Sequence, residues 1–233
     1  MPYIVSFSGG KDSTCMLLEM LERGMQVDDI VFCDAEMEFE EMYEHIDNVE
    51  RYIGRKITRL KADKNFNYYF GEHEKTKGKN KGSLGYGWPD MRIRWCTTLL
   101  KRDIFNKYLN SKGNKELIKC IGIAADEPKR IKDNGEKYPL AEWGITELEA
   151  LQYRYDKGFE WGGLYRLFKR VSCWCCPLKG LGELYVLYTH YPKYWARLLE
   201  MDKKSSRSFR SDYTLQQLDI RFAKQSRQVE MLL

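Results

Sequence analysis

A short turn near the start of the sequence carries the groups that bind phosphate. It reads Ser6-Phe7-Ser8-Gly9-Gly10-Lys11-Asp12-Ser13. Because adjacent glycines let the backbone approach a ligand, and the first N–H groups of a following helix point toward it, such a turn favours an anion. Lys11 adds a mobile positive charge, and the serines add hydroxyl donors. The turn differs from a Walker A motif, which has four residues between its glycines.

Cysteines in the second half of the chain form a second group that could do chemistry. Cys173 and Cys176 form a Cys-x-x-Cys pair with Cys175 between them, and Cys96 is the best distant partner. Two thiolates at this spacing can close around one metal, which a distant cysteine completes. Zinc, an iron–sulfur cluster and a metal-free redox disulfide all stay open on spacing alone. The other cysteines lie in apolar elements and are predicted to be core residues: Cys15, Cys33 and Cys120.

Alternating strands and helices are predicted to position the glycine turn. The apolar run Tyr3-Ile4-Val5 precedes it, and apolar residues at helical spacing follow over 16–21. The apolar run 29–33 is the next strand and ends at Asp34. Strand, helix and strand form the βαβ unit of a parallel sheet, in which ligands bind beyond the carboxyl ends of the strands. Asp34 is therefore predicted to lie on the same rim as the turn.

The same alternation continues along the chain. The pattern predicts a helix over Glu36–Gly54, strands over 57–60 and 117–121, and a later helix that Thr146 caps. Strands that alternate with helices in this way are typical of an α/β domain with a parallel sheet. We predict that this domain covers residues 1–180.

Beyond residue 180 the alternation stops. Aromatic-rich and amphipathic helices are predicted over Leu184–Met201 and Tyr213–Leu232, and the basic segment Lys203–Arg210 joins them. Residues 181–233 are therefore predicted to form a mainly helical C-terminal extension.

Composition and charge favour some classes of protein over others. The 233-residue chain is 43% hydrophobic and holds no run of about 18 apolar residues, which predicts a globular protein without a membrane span. Its first residues lead directly into a strand rather than a signal peptide, which predicts a cytoplasmic protein. Residues 1–50 carry two basic and thirteen acidic residues, so the remainder is strongly basic. A basic remainder favours polyanions as partners, either nucleotides or nucleic acid.

Residues 153–170 interleave aromatic side chains with basic ones. Aromatic platforms beside cations suit single-stranded nucleic acid or a nucleobase. The same residues could instead cover an edge of the sheet. The sequence leaves both interpretations open.

The loop Ser8–Ser13 resembles in full the PP-loop of the ATP pyrophosphatases, in the adenine nucleotide alpha hydrolase-like superfamily. Other segments resemble the phosphoadenosine phosphosulfate (PAPS) reductase family: Phe32–Glu36 with Glu40–Tyr43, Arg94–Cys96, and Pro139–Trp143. The resemblance covers most of residues 1–180. It implies a Rossmann-like, HUP-type three-layer sandwich around a parallel sheet.

The resemblance also implies which residues bind nucleotide and metal. The nucleotide would contact the loop, the acid that ends the second strand and a segment after a later strand: Ser6, Ser8, Gly9, Gly10, Lys11, Asp12, Ser13, Asp34, Gly122, Asp126 and Arg130. In the family, an Arg-x-Cys cysteine combines with a downstream Cys-x-x-Cys-Pro to hold a [4Fe-4S] cluster. That implies Cys96, Cys173 and Cys176 as ligands, with Cys175 as the candidate fourth and zinc as the alternative metal.

The intact loop separates two kinds of relatives. Those that split ATP between the α and β phosphates keep it, whereas sulfonucleotide reductases carry a degraded version. The resemblance therefore implies use of ATP and Mg²⁺, release of AMP and pyrophosphate, and Lys11, Asp12 and Ser13 as catalytic residues. An activated acceptor would then receive sulfur, as in DNA phosphorothioation systems and tRNA thiolases. The implied partners are a nucleic-acid acceptor and a sulfur donor such as a cysteine desulfurase.

Two other functions stay open at this point. One is a reductase for PAPS or adenosine phosphosulfate, and the other is a nucleotide-binding module with structural zinc. The metal content and the products formed from ATP or PAPS distinguish the three.

Overall fold

The computed structural model describes residues 2–113, 117–171 and 173–230. Four strands and ten α-helices lie in these ranges. The strands are β1 (Tyr3–Ser6), β2 (Val27–Asp34), β3 (Thr58–Lys61) and β4 (Ile118–Ile121). The helices are α1 (Lys11–Glu22), α2 (Glu40–Ile53), α3 (Trp95–Thr97), α4 (Asp103–Ser111), α5 (Pro139–Glu142), α6 (Glu147–Asp156), α7 (Leu164–Leu167), α8 (Leu181–His190), α9 (Pro192–Asp202) and α10 (Leu215–Glu230).

The chain folds into two compact units. The first, called the sheet unit, comprises residues 1–34, 38–61 and 101–165. The second, called the helical unit, comprises residues 35–37, 62–100 and 166–233. Residue 180 is not a limit of either unit, and the division into residues 1–180 and 181–233 stays a prediction.

A parallel sheet with strand order β3-β2-β1-β4 forms the centre of the sheet unit. Ser6, at the end of β1, pairs with Val31 of β2 and with Ile121 of β4. On one side, Ile4 and Val31 form a core cluster with Phe105 of α4. The sequence-based prediction of a Rossmann-like α/β fold is confirmed.

Helix α1 is buried around more of its circumference than the one-sided apolar pattern predicts. Cys15, Met16, Leu17 and Leu18, four consecutive residues, are all buried. The reason is that α1 also contacts α5 and α6, which come from much later in the chain. Apolar spacing within α1 cannot reveal such partners.

Helix α2 begins later than predicted, at Glu40 rather than Glu36. Glu36 has a φ of 59°, a left-handed conformation that no residue inside a right-handed helix adopts. The predicted end is confirmed, because Gly54 terminates α2 with a φ of 62°. Thr146 is also confirmed as the cap of α6, where it forms a capping box with Glu149.

The helical unit contains α8, α9 and α10, which pack on one another through aromatic side chains. Trp195 of α9 contacts Tyr188 of α8 and Phe222 of α10, with ring centroids 5.6 Å and 5.5 Å away. The predicted helix Leu184–Met201 is divided into α8 and α9 because Pro192 cannot continue a helix. The last two residues of the predicted helix 213–232 lie outside the described ranges.

None of the described helices combines the length with the apolar composition that crossing a bilayer demands.

Candidate functional site

The strand order of the sheet reverses beside β1. The chain runs from β1 to β2 and β3 on one side, whereas β4 pairs with β1 on the other. Such a reversal opens a crevice beyond the carboxyl ends of the two strands, where open parallel sheets bind ligands. The turn 7–10 follows β1, and Gly122 follows β4. Both predicted ligand segments therefore lie at this switch point.

The Ser13 hydroxyl closes the glycine turn on itself. It accepts a hydrogen bond from the Ser8 N–H (3.1 Å) and donates one to the Gly10 carbonyl (3.0 Å). It also lies 2.9 Å from the Ser8 hydroxyl. Ser13 is 3% exposed, so its side chain faces the protein. These contacts shape the turn, and a catalytic role for Ser13 stays a prediction.

Two close approaches beside the turn require glycine. Gly9 has a φ of 75°, and a Cβ there would lie 2.5 Å from the sulfur of Met42 on α2. A Cβ on Gly122 would lie 2.7 Å from the backbone nitrogen of Ser13 on α1. The two glycines thus let the ends of β1 and β4 lie directly against neighbouring helices.

Two aromatic side chains hold the turn from inside the sheet unit. The Trp161 indole N–H donates to the Gly9 carbonyl (2.7 Å), and the Lys11 backbone N–H donates to the Tyr165 hydroxyl (2.7 Å). Trp161 has a φ of 50°, which is strained for a residue with a side chain. Both rings thus pack against the turn, and nucleic-acid binding by residues 153–170 stays a prediction.

The Lys11 ammonium lies between two carboxylates. Its Nζ is 2.6 Å from Asp12 Oδ1 and 2.6 Å from Glu147 Oε1. Burial raises the pKa of Asp12, and Lys11 opposes that shift by stabilising the charged carboxylate. The cation of the turn is thus already paired within the protein.

Glu127 completes a group of three carboxylates with Asp12 and Glu147. One oxygen of each lies within 4.8 Å of the other two. Carboxylate oxygens are the protein ligands of Mg²⁺, so this donor set fits that cation. Asp126 Oδ1 accepts the Glu147 N–H (3.0 Å), and Arg130 Nη1 donates to Glu127 at 2.6 Å. Of these two predicted site residues, Arg130 therefore holds the Glu127 carboxylate, and Asp126 holds the backbone of Glu147.

Glu127 and Glu147 are absent from the predicted set of site residues. Glu127 directly follows the predicted Asp126, so its position in the sequence could have identified it as a site residue. Glu147 directly follows the helix cap Thr146, where an acid is commonplace. Only the packing of α6 against α1 brings its side chain to Lys11.

Asp34 ends β2, as predicted, and is buried. Its Oδ1 accepts a hydrogen bond from the Tyr43 hydroxyl (2.8 Å), and its Oδ2 lies 3.7 Å from Lys61 Nζ. Because β1 and β2 are parallel neighbours, Asp34 and Ser6 lie at the same end of the sheet.

The four predicted cysteine ligands all belong to the helical unit. Cys96 lies in α3, and the others lie in the turn 173–176, where the Cys176 N–H donates to the Cys173 carbonyl (3.2 Å). Thiolates suit both zinc and iron–sulfur clusters. Across the described ranges, no three of these sulfur atoms lie within 4.8 Å of one another. The ligand set therefore stays a prediction, and so does the choice between zinc and an iron–sulfur cluster.

The three other cysteines pack in the sheet unit. Cys15 and Cys120 are fully buried, as predicted, and Cys33 is half-buried against the core. Burial raises the pKa of Cys15 and of Cys120 to about 12, and that of Cys33 to about 11. These thiols therefore stay protonated at neutral pH and are poor metal ligands.

His45 is a buried base behind the turn. It is 2% exposed, its Nε2 lies 3.0 Å from Thr14 Oγ1, and its ring stacks on Trp161 with centroids 3.8 Å apart. Burial, with a smaller contribution from the charge of Arg154, lowers the pKa of His45 to about 3. His45 is therefore neutral over the physiological range.

Acid is expected to destabilise the protein through His45. A histidine in the unfolded chain binds a proton near pH ~6.5, whereas folded His45 does so only at about pH 3. Between these two pKa values the unfolded state binds more protons than the folded state. The contribution of His45 to the free energy of unfolding is therefore fully present above the upper pKa and is lost as the pH falls. Urea unfolding at pH 7 and pH 5 should show a loss of about 2 kcal/mol from this residue.

His45→Gln should remove that component of the pH dependence. His190→Gln, an equivalent change at an exposed position of α8, is the matched control and should keep the wild-type slope. An unchanged slope in His45→Gln would contradict a neutral His45 in the folded protein.

Comparison with known proteins gives a family match and two similar proteins. The phosphoadenosine phosphosulfate reductase domain matches residues 2–179. The uncharacterized protein MJ0066 of Methanocaldococcus jannaschii is 30% identical over 212 residues, which cover 84% of this chain and 40% of that protein. The uncharacterized nin region protein ORF290 of Escherichia phage lambda is 32% identical over 165 residues, which cover 64% of this chain and 57% of that protein. The chain thus spans about half the length of these relatives.

The domain match includes all four strands, the glycine turn and the three carboxylates beside Lys11. It also extends to the predicted cysteine ligands. Proteins of this family bind adenine nucleotides, which agrees with a phosphate-binding turn at the switch point of the sheet. The chain belongs to the phosphoadenosine phosphosulfate reductase family.

Proposed function

We propose that the sheet unit binds ATP with Mg²⁺ at Ser6–Ser13 and cleaves it between the α and β phosphates to AMP and pyrophosphate. The observation that carries this proposal is the environment of Lys11. Lys11 lies in a complete PP-loop at the strand switch point, and its Nζ contacts Asp12 and Glu147 at 2.6 Å. The complete loop resembles that of the ATP-using relatives.

Mg²⁺ fits the carboxylates of Asp12, Glu127 and Glu147 by charge and by donor type. Mg²⁺ typically keeps part of its shell for phosphate oxygens, so a few carboxylates suffice. Bound there, it would stabilise negative charge that develops on the departing pyrophosphate. Lys11, whose carboxylate partners would then face the cation, would bind a phosphate oxygen.

The remaining predicted residues have supporting roles in this proposal. Gly9 and Gly10 would let phosphate oxygens approach the backbone, and the Ser8 hydroxyl would donate to them. Asp34 would lie beside the nucleotide at the end of β2, as the family resemblance implies. Gly122 would keep the end of β4 close enough to α1 for the carboxylates to meet.

We further propose that the cleavage activates an acceptor for sulfur transfer. An acceptor oxygen attacks the α phosphorus and expels pyrophosphate, and a sulfur nucleophile then displaces AMP, which carries that oxygen away. A nucleic acid is the proposed acceptor, and a persulfide donor such as a cysteine desulfurase is the proposed partner. The outer sulfur of the persulfide would displace AMP, and a thiol reductant would then cleave the S–S bond that joins the acceptor to the donor cysteine. Cys96, Cys173, Cys175 and Cys176 would hold a [4Fe-4S] cluster, which would supply the redox-active sulfur chemistry, with zinc as the alternative.

The family match favours one other function, reduction of PAPS or adenosine phosphosulfate. A reductase would release sulfite from the sulfonucleotide in the presence of a thiol reductant, and it would not form pyrophosphate from ATP. The two functions therefore differ in their products.

The test is an anaerobic incubation of the purified protein with α-labelled ATP, Mg²⁺ and candidate acceptors, followed by separation of the nucleotides. We expect labelled AMP and one pyrophosphate for each AMP, and no product when Mg²⁺ is chelated. Sulfite from PAPS together with inert ATP would identify a reductase instead.

The metal of the helical unit should depend on Cys176 and not on the glycine turn. We expect Cys176→Ser to lose most of the bound iron, or zinc, while nucleotide affinity in the sheet unit stays unchanged. Metal analysis and the visible spectrum of anaerobic protein give the first quantity, and nucleotide titration gives the second. Cys33→Ala, which removes a cysteine outside the predicted ligand set, is the control and should keep the metal. Retention of the metal by Cys176→Ser would remove Cys176 from the ligand set.

A further inference from the structure

Arg154 of α6 is a buried cation with unused hydrogen-bond donors. It is 0% exposed, and its Nε donates to the Ala150 carbonyl (2.7 Å). Within the part of the chain that the structure describes, Nη1 and Nη2 are buried and have no hydrogen-bond partner. Buried charges are ordinarily paired or fully hydrogen-bonded, so an unsatisfied guanidinium requires a physical reason.

The guanidinium lies directly behind the glycine turn. Its Cζ is 4.2 Å from the ring centre of Trp161 and 5.1 Å from that of Tyr165. These are the two residues that hold the Gly9 carbonyl and the Lys11 N–H. Arg154 thus supports the turn through both rings.

The aromatic rings compensate only part of the hydration that Arg154 loses on burial. Burial lowers the pKa of Arg154 to about 10, so the side chain is still charged at neutral pH. Among the described residues no carboxylate forms an ion pair with this charge, and the nearest that acts on it is that of Asp12, which Lys11 already neutralises. Such a charge favours an anion on the other side of the rings.

We propose that Arg154 is a positioning residue for the phosphates of the bound nucleotide, and that these phosphates add to the partial compensation that Asp12 gives to its buried charge. This role rests on the proposed function of the turn. Without ligand, the partly compensated charge opposes folding, whereas with a phosphate chain in the turn it favours binding. The contribution of Arg154 to affinity depends on the charge of the ligand. It should therefore strengthen the binding of a nucleotide and leave the binding of a nucleoside unchanged.

Two substitutions separate charge from packing. Arg154→Met keeps an unbranched apolar stem without the charge, and Arg154→Lys keeps the charge without the planar group. Arg51→Met makes the first change at an exposed position of α2 and serves as the control. The measurements are the melting temperature without ligand, and titration calorimetry with α,β-methylene-ATP plus Mg²⁺ and with adenosine.

We expect Arg154→Met to melt at or above the wild-type temperature without ligand. Its affinity for α,β-methylene-ATP should fall about 10-fold or more, while its affinity for adenosine stays within about twofold of wild type. Arg154→Lys should recover most of the nucleotide affinity, and Arg51→Met should match wild type in every measurement.

Equal losses of nucleotide and adenosine affinity in Arg154→Met would show a structural role and overturn the proposal. Unchanged nucleotide affinity in that variant would overturn it as well. If Arg154→Met does not fold, Arg154→Lys decides: retained nucleotide affinity supports the proposal, and parallel loss of both ligands overturns it. Failure of the wild-type protein to bind any nucleotide would overturn the function of the turn itself, and the role of Arg154 with it.

Discussion

Lys11→Ala should reduce the proposed ATP cleavage by at least about 100-fold, because it removes the cation that would stabilise charge on the departing phosphates. Nucleotide affinity should fall by roughly 10- to 100-fold, the usual effect of losing a charge-assisted hydrogen bond. The metal proposed for the helical unit should be unaffected.

The loss of Lys11 should also change how the carboxylates bind a cation. The ammonium lies 2.6 Å from a carboxylate oxygen of Asp12 and from one of Glu147. Without the ammonium, these two carboxylates and that of Glu127 stay close together and repel one another. Mg²⁺ binding in the absence of nucleotide should therefore become tighter while nucleotide binding becomes weaker. If Lys11 had a purely structural role, its removal would not strengthen Mg²⁺ binding while weakening nucleotide binding.

The measurements are pyrophosphate release and calorimetric titration with Mg²⁺ and with nucleotide, each on Lys11→Ala and on Lys203→Ala. Lys203 is an exposed lysine at the end of α9 that pairs with Glu200, and its removal should have no effect on any of the three. Cleavage by Lys11→Ala within twofold of wild type would contradict ATP use at this turn.

Gly122→Ala should be the most destabilising single methyl addition beside the site. Its Cβ would lie 2.7 Å, 2.8 Å and 2.9 Å from backbone atoms of Ser13 and Asp12. Backbone atoms cannot move aside as a flexible side chain can, so the end of β4 must separate from α1. We expect the free energy of unfolding to fall by about 3 kcal/mol, which corresponds to roughly 6–12 °C in melting temperature.

Gly182→Ala is the matched control for this effect. Gly182 lies in α8, where nothing is within 4 Å of an added Cβ. Alanine there should leave the stability unchanged or raise it by up to about 1 kcal/mol, because it favours the helix. Urea unfolding of both variants gives the comparison, and a Gly122→Ala protein as stable as wild type would contradict the close packing of β4 against α1.

Local sequence was sufficient to predict the strand, turn and helix that carry Lys11. Each depends on neighbours within a few residues, as do the stop at Gly54 and the cap at Thr146. The break at Pro192 could also have been predicted, because a proline cannot occupy a helix interior, but the predicted helix Leu184–Met201 ran through it and was wrong there. The late start of α2 could not have been predicted, since the left-handed conformation of Glu36 has no signal in its residue type.

The carboxylate group around Lys11 could not be derived from sequence spacing. Asp12, Glu127 and Glu147 come from three distant segments that meet only because β4 pairs with β1 and α6 packs on α1. Residue types also gave an ambiguous signal for Trp161 and Arg154. A tryptophan and an arginine in a basic, aromatic stretch could be solvent-facing or buried, and only the tertiary structure decides.

The pairing of Lys11 with Asp12 and Glu147 gives the turn a means of selecting among anions. A lone phosphate or sulfate would have to take Lys11 from its carboxylates and would leave them without a counter-ion. A magnesium nucleotide instead brings a cation for the carboxylates and an anion for the lysine, so both sets of charges exchange partners together. The turn should therefore discriminate against simple inorganic anions, which are abundant in any cell, without a steric barrier to exclude them.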